Sequence, residues 1–231
     1  TRRLAKSLPQ RVIGVSGASR VKGGVYMRGG ALVEELSGQP RVLSRQTDWP
    51  ALIGAHNGQN AAAATAAALM LGLDGAAIDT GLRSFKGLAH RLEPVAHWRG
   101  IRFINDSKAT NTDAAATALA SFAEPVRWIA GGRAKSKSLG AVARHLDRIA
   151  KAYLIGEAAP LLARLLAPDV AIEHCETIDR AVARAAADCG TTGGIVLLAP
   201  ACASFDQFRD FEARGEAFRQ AVARLMAEEG P

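Results

Sequence analysis

A chain of 231 residues that is 48% apolar but only 5% aromatic has material for one large or two ordinary domains, with a core that relies on close helix packing rather than large rings. The net charge of +7 suits an anionic partner, yet Arg and Lys are scattered among Glu and Asp with no basic, aromatic-interleaved stripe. That argues against nucleic acid and for small anionic ligands.

Three cysteines, Cys175, Cys189 and Cys202, form no even framework, which predicts reduced thiols and a cytoplasmic setting. The most apolar run, AAAATAAALMLGL, is about 13 residues against the roughly 20 a membrane helix needs, so no membrane partner is expected. The opening TRRLAKSLPQ starts on Thr1 and lacks the apolar centre of a secretory signal. The expectation is a processed chain or a piece of something longer.

In chain order, RVIGVSG, GVYMRGGALVEEL and PRVLSR predict small antiparallel strands joined by Gly-rich turns over about 10–46. HNGQNAAAATAAALMLGL predicts a long helix with Asn57 as its cap, and Ile78 to Phe85 a second, shorter one. From about residue 95 the texture alternates. IRFIND, VRWIAGG, RIAKAYLIG, DVAIEHC and GIVLLAPA read as strands; TDAAATALASF, LGAVARHL, AAPLLARLL and IDRAVARAAADC read as helices. This βαβ series predicts an α/β fold with a mostly parallel, Rossmann-like sheet and flanking helices. DQFRDFEARGEAFRQAVARLMAEE closes it as a long amphipathic helix. The two textures meet near Leu88 to Arg91, giving a first portion of 1–89 and a second of 90–231.

Parallel sheets place ligands beyond the carboxyl ends of their strands, where helix amides are unpaired. Three loops lie there. In INDSKATN, Asn105 and Asp106 end a strand, Lys108 follows, and Thr110 with Asp113 has capping-box spacing. The segment is either a well-capped loop or a nucleotide or carboxylate site. AGGRAKSKS brings two glycines, Lys135 and Ser136, as a turn or an anion cradle. LLAPACASFDQFRDFE reaches Ser204, with Gln207 three positions on, as a helix cap over buried Phe205, Phe208 and Phe211 or as room for a carboxylate. Asn60, in the first turn of the alanine-rich helix, could read a purine edge or bond the backbone; Arg91 would be an ordinary surface residue in most proteins. His56, His90 and His97 lack metal-ligand spacing, so no metal site is predicted, and no Gly-x-x-x-x-Gly-Lys-Ser/Thr phosphate loop occurs.

Taken in order, HNGQNAAAA, FKGLAHRLE, FINDSKATN, GGRAKS and PACASFDQFRDFEARGEAF resemble the Mur ligases of peptidoglycan synthesis over nearly the whole chain. The last motif is similar to the D-glutamate-adding branch, and the Asp-Asn-Pro-Arg motif of the diaminopimelate-adding branch is absent. The resemblance implies that 1–89 is the end of a central α/β ATPase domain and 90–231 the C-terminal Rossmann-like domain. The UDP-sugar domain, phosphate loop and magnesium ligands would lie upstream of Thr1. It implies an ATP- and Mg2+-dependent, ADP-forming ligase that joins D-glutamate to UDP-N-acetylmuramoyl-L-alanine through an acyl phosphate. The protein would be a cytoplasmic monomer, and this chain would be inactive by itself.

By the same resemblance Asn60, Arg91 and Asp106 would contact ATP, and Lys108 would be the catalytic residue near the phosphates or acidic substrate. Thr110, Lys135, Ser204, Phe205 and Phe211 would line the D-glutamate pocket. Departures from the family pattern are Ala199-Pro200 for Ser-Pro, Arg133-Ala134 for a more acidic or glycine-rich turn, and Phe205 for Leu. Alternatives are another amino-acid ligase of the superfamily, such as a folylpolyglutamate synthetase, and a non-catalytic module that binds nucleotides or acidic metabolites.

Overall fold

The structure, a computed structural model, describes residues 7–230. The chain divides into two compact units, one ending at Lys86 and the other starting at Gly87.

The first unit carries a four-stranded sheet in the order β1 (Val15–Ser16), β2 (Val25–Arg28), β3 (Ala31–Glu34), β4 (Arg41–Arg45). β2, β3 and β4 pair antiparallel as expected from the Gly-rich turns, but β1 pairs parallel to β2, a correction to the all-antiparallel expectation. Helix α1 (Ala55–Met70) lays Ala61, Ala62 and Ala66 on Val25, Met27, Leu32 and Trp49. Small alanines permit that close approach. α2 (Gly75–Ser84) follows, capped by the Asp74 side chain, which accepts from the amide of Ala77 at 2.8 Å.

Asn57 does not cap α1. The cap position belongs to Gly54, whose φ of 90° suits glycine, and the Asn57 amide instead donates to the carbonyl of Ile53 at 2.8 Å.

The second unit is a six-stranded sheet in the order β5 (Glu93–Trp98), β6 (Ile101–Asn105), β10 (Gly194–Leu198), β7 (Val126–Gly131), β8 (Ile149–Ile155), β9 (Ile172–Glu176). All pairs are parallel except the antiparallel β5–β6 edge. Ile101 and Phe103, Ile129, Tyr153 and Ile155, and Val196 and Leu198 alternate onto one face, where α5 (Ile178–Ala187) and α6 (Phe211–Glu229) cover them with Val182, Ala185, Phe218 and Val222. The intervening residues Ile104, Trp128, Leu154 and Leu197 are buried too, as a sheet covered on both sides requires. α4 (Ala159–Leu166) packs against β7, β8 and β9, and α3 (Thr112–Leu119) joins β6 to β7. The three cysteines are buried and unpaired.

Three local readings are corrected here. LGAVARHL forms 3-10 turns over Gly140–Arg144 and Leu146–Arg148, not an α-helix, because Gly140 enters at φ 51°. β5 was unread because EPVAHW has proline and no alternation; as an edge strand it tolerates Pro94. The last helix starts at Phe211, five residues later than DQFRDF suggests.

Candidate functional site

Because β6, β10 and β7 are adjacent and parallel, the loops that follow them leave the sheet side by side. They are stitched together by backbone hydrogen bonds. The amide of Asp106 donates to the carbonyl of Leu198 (2.7 Å), Ala201 to Ala109 (2.9 Å) and Gly131 to Pro200 (2.9 Å); Arg133 and Ala203 exchange a pair at 2.8 and 3.0 Å. The close approach explains Gly131: at φ 133° a Cβ there would overlap the carbonyl of Ile155.

The 105–111 loop divides its groups between two sides. The Asp106 carboxylate accepts from the Leu92 amide at 3.3 Å, and Arg91 is close enough to act on it. Burial nevertheless raises the Asp106 pKa from 3.8 to about 6, only partly opposed by Leu92 and Arg91. Thr110 lies on the other side, where the Lys135 ammonium donates to its hydroxyl at 3.4 Å. Lys135 and Ser136 border a cavity of about 50 Å³ together with Asn111, Thr112, Ala201 and Cys202. Between these sides, the Lys108 ammonium sits 3.8 Å from the centre of the Phe211 ring. Among the described residues neither Lys108 nor Lys135 forms an ion pair. A lysine without a carboxylate at the rim of this small cavity, Lys135, is chemically ready for an anion, and Lys108 is a second cation on the neighbouring loop.

Thr110 is not the cap of α3. Its amide is tied back to the Lys108 carbonyl at 2.7 Å, and Asn111 caps instead, accepting from Ala114 at 2.9 Å. Ser204 is buried, but its carbonyl closes a single turn by accepting from Gln207 and Phe208. The cap of α6 is Asp210, which accepts from Ala213 at 2.6 Å, so the Ser204–Gln207 capping-box reading fails. Phe205 is 63% exposed rather than buried; Phe208 packs at the edge of the core. Asn60 lies in the first unit, exposed in the second turn of α1 rather than the first, with Asn57 as its neighbour at 3.3 Å.

Arg214 was missed. It is 1% exposed, and its guanidinium donates to the Ser107 hydroxyl (3.0 Å), the Ser107 carbonyl (2.9 Å), the Cys202 carbonyl (3.1 Å) and the Gly131 carbonyl (3.5 Å). Burial lowers its pKa from 12.5 to about 10, which leaves it charged at neutral pH. The signal was present: Phe211, Arg214 and Phe218 fall at i, i+3 and i+7, so the arginine shares a helix stripe with half-buried Phe211 and core Phe218. Asn105 is the second omission, as a buried hub. Its amide nitrogen meets Nδ1 of His90 (3.0 Å), Oε2 of Glu93 (3.2 Å) and the carbonyl of Gly215 (3.2 Å).

The family described as "Mur ligase, glutamate ligase domain" matches residues 90–202, the segment that builds these loops. Over 93% of its length the chain is 47% identical to a Rhizobium etli protein named UDP-N-acetylmuramoylalanine--D-glutamate ligase. The chain belongs to the Mur ligase family.

A protein of the same name from Sphingopyxis alaskensis is 52% identical over 79% of the chain. These alignments cover 46% and 43% of the two relatives, so the chain spans about half the length of the curated relatives it matches. Among solved structures, MurF from Acinetobacter baumannii matches 98% of the chain and 49% of its own, with a TM-score of 0.59 at 19% identity. E. coli FolC in complex with DHPP and ADP matches 87% of the chain and 46% of its own, also at 0.59, with 18% identity. At that identity the shared feature is the fold, and the Mur ligase fold is what the second unit's sheet and helices display.

Proposed function

We propose that this chain is the C-terminal half of an ATP-dependent ligase that adds D-glutamate to UDP-N-acetylmuramoyl-L-alanine in the cytoplasmic stage of peptidoglycan synthesis. Residues 1–89 would complete a central ATPase domain and 90–231 form the ligase domain, in a monomeric enzyme. The observation that carries this reading is the 47% identity, sustained over 93% of the chain, to a protein named for that reaction. Lys135 at the small cavity, with Lys108 on the neighbouring loop, neither of them in an ion pair among the described residues, supports an acidic amino acid as the incoming substrate.

ATP would supply the driving force by phosphorylating the precursor carboxylate, whose acyl carbon then takes the amine nitrogen of D-glutamate as phosphate departs. The residues here contribute position and charge. Asp106 and Arg91 form the nucleotide side: at pH 7.5 a carboxylate with a pKa of about 6 is ionised and can accept from ribose hydroxyls. Lys135, Thr110, Ser204, Phe205 and Phe211 form the amino-acid side. Lys108, held over the Phe211 ring, would face the charge that develops between them. Among the described residues no three His, Cys, Asp or Glu side chains gather as a metal site, and no step is assigned to magnesium. Its ligands would come from upstream sequence.

The test is ADP release by the full-length protein with the UDP-linked precursor and a panel of D-glutamate, L-glutamate, diaminopimelate and a folate acceptor. Turnover that requires D-glutamate is expected. Turnover with another acceptor in its place would overturn the assignment.

A further inference from the structure

Arg214 is a buried cation that forms no ion pair among the described residues; the Asp206 carboxylate is near enough to act on its charge but accepts no hydrogen bond from it. Its donors go to Ser107, Gly131 and Cys202; Ser107 and Cys202 lie on the loops that follow β6 and β10, and Gly131 is the last residue of β7, where the third loop begins. Leaving a guanidinium buried without a paired carboxylate is costly, and a helix stripe shared with Phe211 and Phe218 would accept leucine more cheaply. What arginine offers there is a planar fork of five N–H donors, able to hold several carbonyls at once. Every gripped group is beside a residue of the site. Ser107 precedes Lys108 and donates its hydroxyl to the Phe211 carbonyl at 2.8 Å. Cys202 is two residues before Ser204 and borders the cavity with Lys135. Gly131 opens the strand end that leads to Lys135, and a Cβ on the next residue, Gly132, would sit 3.1 Å from the guanidinium. By contrast, among the described residues Arg214 forms no hydrogen bond or ion pair with Asp106, Arg91 or Leu92 on the other side of the loop.

We propose that Arg214 is a positioning residue: a single side chain from α6 that locks the three loops in one register and thereby sets the amino-acid side of the site independently of the nucleotide side. The consequence for catalysis rests on the ligase reading above; the clamp itself does not. Its one-sidedness separates it from a general structural role, which would disturb both substrates alike.

The experiment uses Arg214→Lys and Arg214→Met in the full-length protein, with D-glutamate and ATP varied separately and hydrogen–deuterium exchange followed in the same samples. Lysine keeps the charge but reaches one acceptor where arginine reaches several. For R214K the KM for D-glutamate should rise about 10-fold or more while that for ATP moves less than about 3-fold. Amides of 106–110, 131–134 and 200–204 should exchange faster together, with those inside β6 and β10 keeping wild-type protection. R214M should show the same pattern more strongly.

Wild-type kinetics in R214K, an equal rise in both KM values, or faster exchange confined to one loop would each overturn the clamp. If the wild-type protein releases no ADP in response to D-glutamate, the ligase reading has failed, and the exchange pattern of R214K still decides whether one arginine ties three loops.

Discussion

Gly215 faces the imidazole of His90 with no room for a Cβ: built on this glycine, it would overlap Nδ1, Cε1 and Cγ of the ring. His90 is itself buried, at φ 62°, and its Nδ1 meets the Asn105 amide at 3.0 Å. The helix that carries Arg214 can therefore approach the Leu88–Leu92 turn and the end of β6 only because the next residue has no side chain. Gly215→Ala should cost about 1–3 kcal/mol by overpacking, measured by urea unfolding. Combining it with His90→Ala should recover part of that loss in a double-mutant cycle, since the obstacle is a side chain. Strict additivity of the two changes would contradict the contact.

Gly131 presents the opposite case. Its missing Cβ would meet the carbonyl of Ile155, which is backbone, and its φ of 133° is unfavourable to any L side chain. Trimming neighbours cannot relieve it. Gly131→Ala should destabilise by more than about 3 kcal/mol, combining overlap with backbone strain, and appear as loss of the cooperative unfolding transition or of soluble protein. A loss below about 1 kcal/mol would mean that β7 and β8 can separate at this point.

Asp106 gives a pH signature of the less familiar sign. Its folded-state pKa of about 6 lies above the ordinary 3.8, so the folded chain binds this proton more tightly than the unfolded one. The group's contribution to stability is then best below pH 3.8, declines as pH rises between 3.8 and 6, and is a constant penalty above that window. Asp106→Asn removes the penalty while keeping an acceptor for the Leu92 amide. It should gain about 1–2 kcal/mol at pH 7.5 and little near pH 4. In the full-length protein the same change should raise the KM for ATP. Destabilisation at pH 7.5 would refute the burial argument.

Arg91 and Lys135 should separate the two substrates. Arg91→Ala is expected to raise the KM for ATP, and Lys135→Ala that for D-glutamate, each by about 10- to 100-fold as befits one lost charge-assisted contact. Each should leave the other KM within about 3-fold. Steady-state kinetics with the full-length protein decides it. Crossed effects would break the division of the 105–111 loop into two sides.

The parts of the molecule that were readable without coordinates are those where period and punctuation agree. IRFIN, VRWIAG, IAKAYLI and GIVLL are apolar runs bounded by Gly, Asn or Pro, and all four form strands of the sheet. The misread parts are those where a distant neighbour overrides the local signal. Thr110 has the composition of a cap but is turned back onto Lys108, so Asn111 does the capping. Ser204 resembles a cap, yet its segment is held by Arg133 and Arg214 and closes only one turn. β5 exists because β6 offers it a ladder, in spite of Pro94.

Three strand-following loops with chemistry in them were determined by the order of residues alone, because polar groups placed directly after buried strands can only emerge at one edge of a parallel sheet. Which loops are neighbours was not. β10, last of the strands in the chain, inserts between β6 and β7, and only that long-range pairing brings Lys108, Lys135 and Ser204 to adjacent loops and leaves the carbonyls of Ser107, Gly131 and Cys202 converging on one guanidinium. The convergence involves residues over a hundred positions apart, from Ser107 to Arg214, and such contacts are decided by the packing of whole elements, which no local pattern encodes.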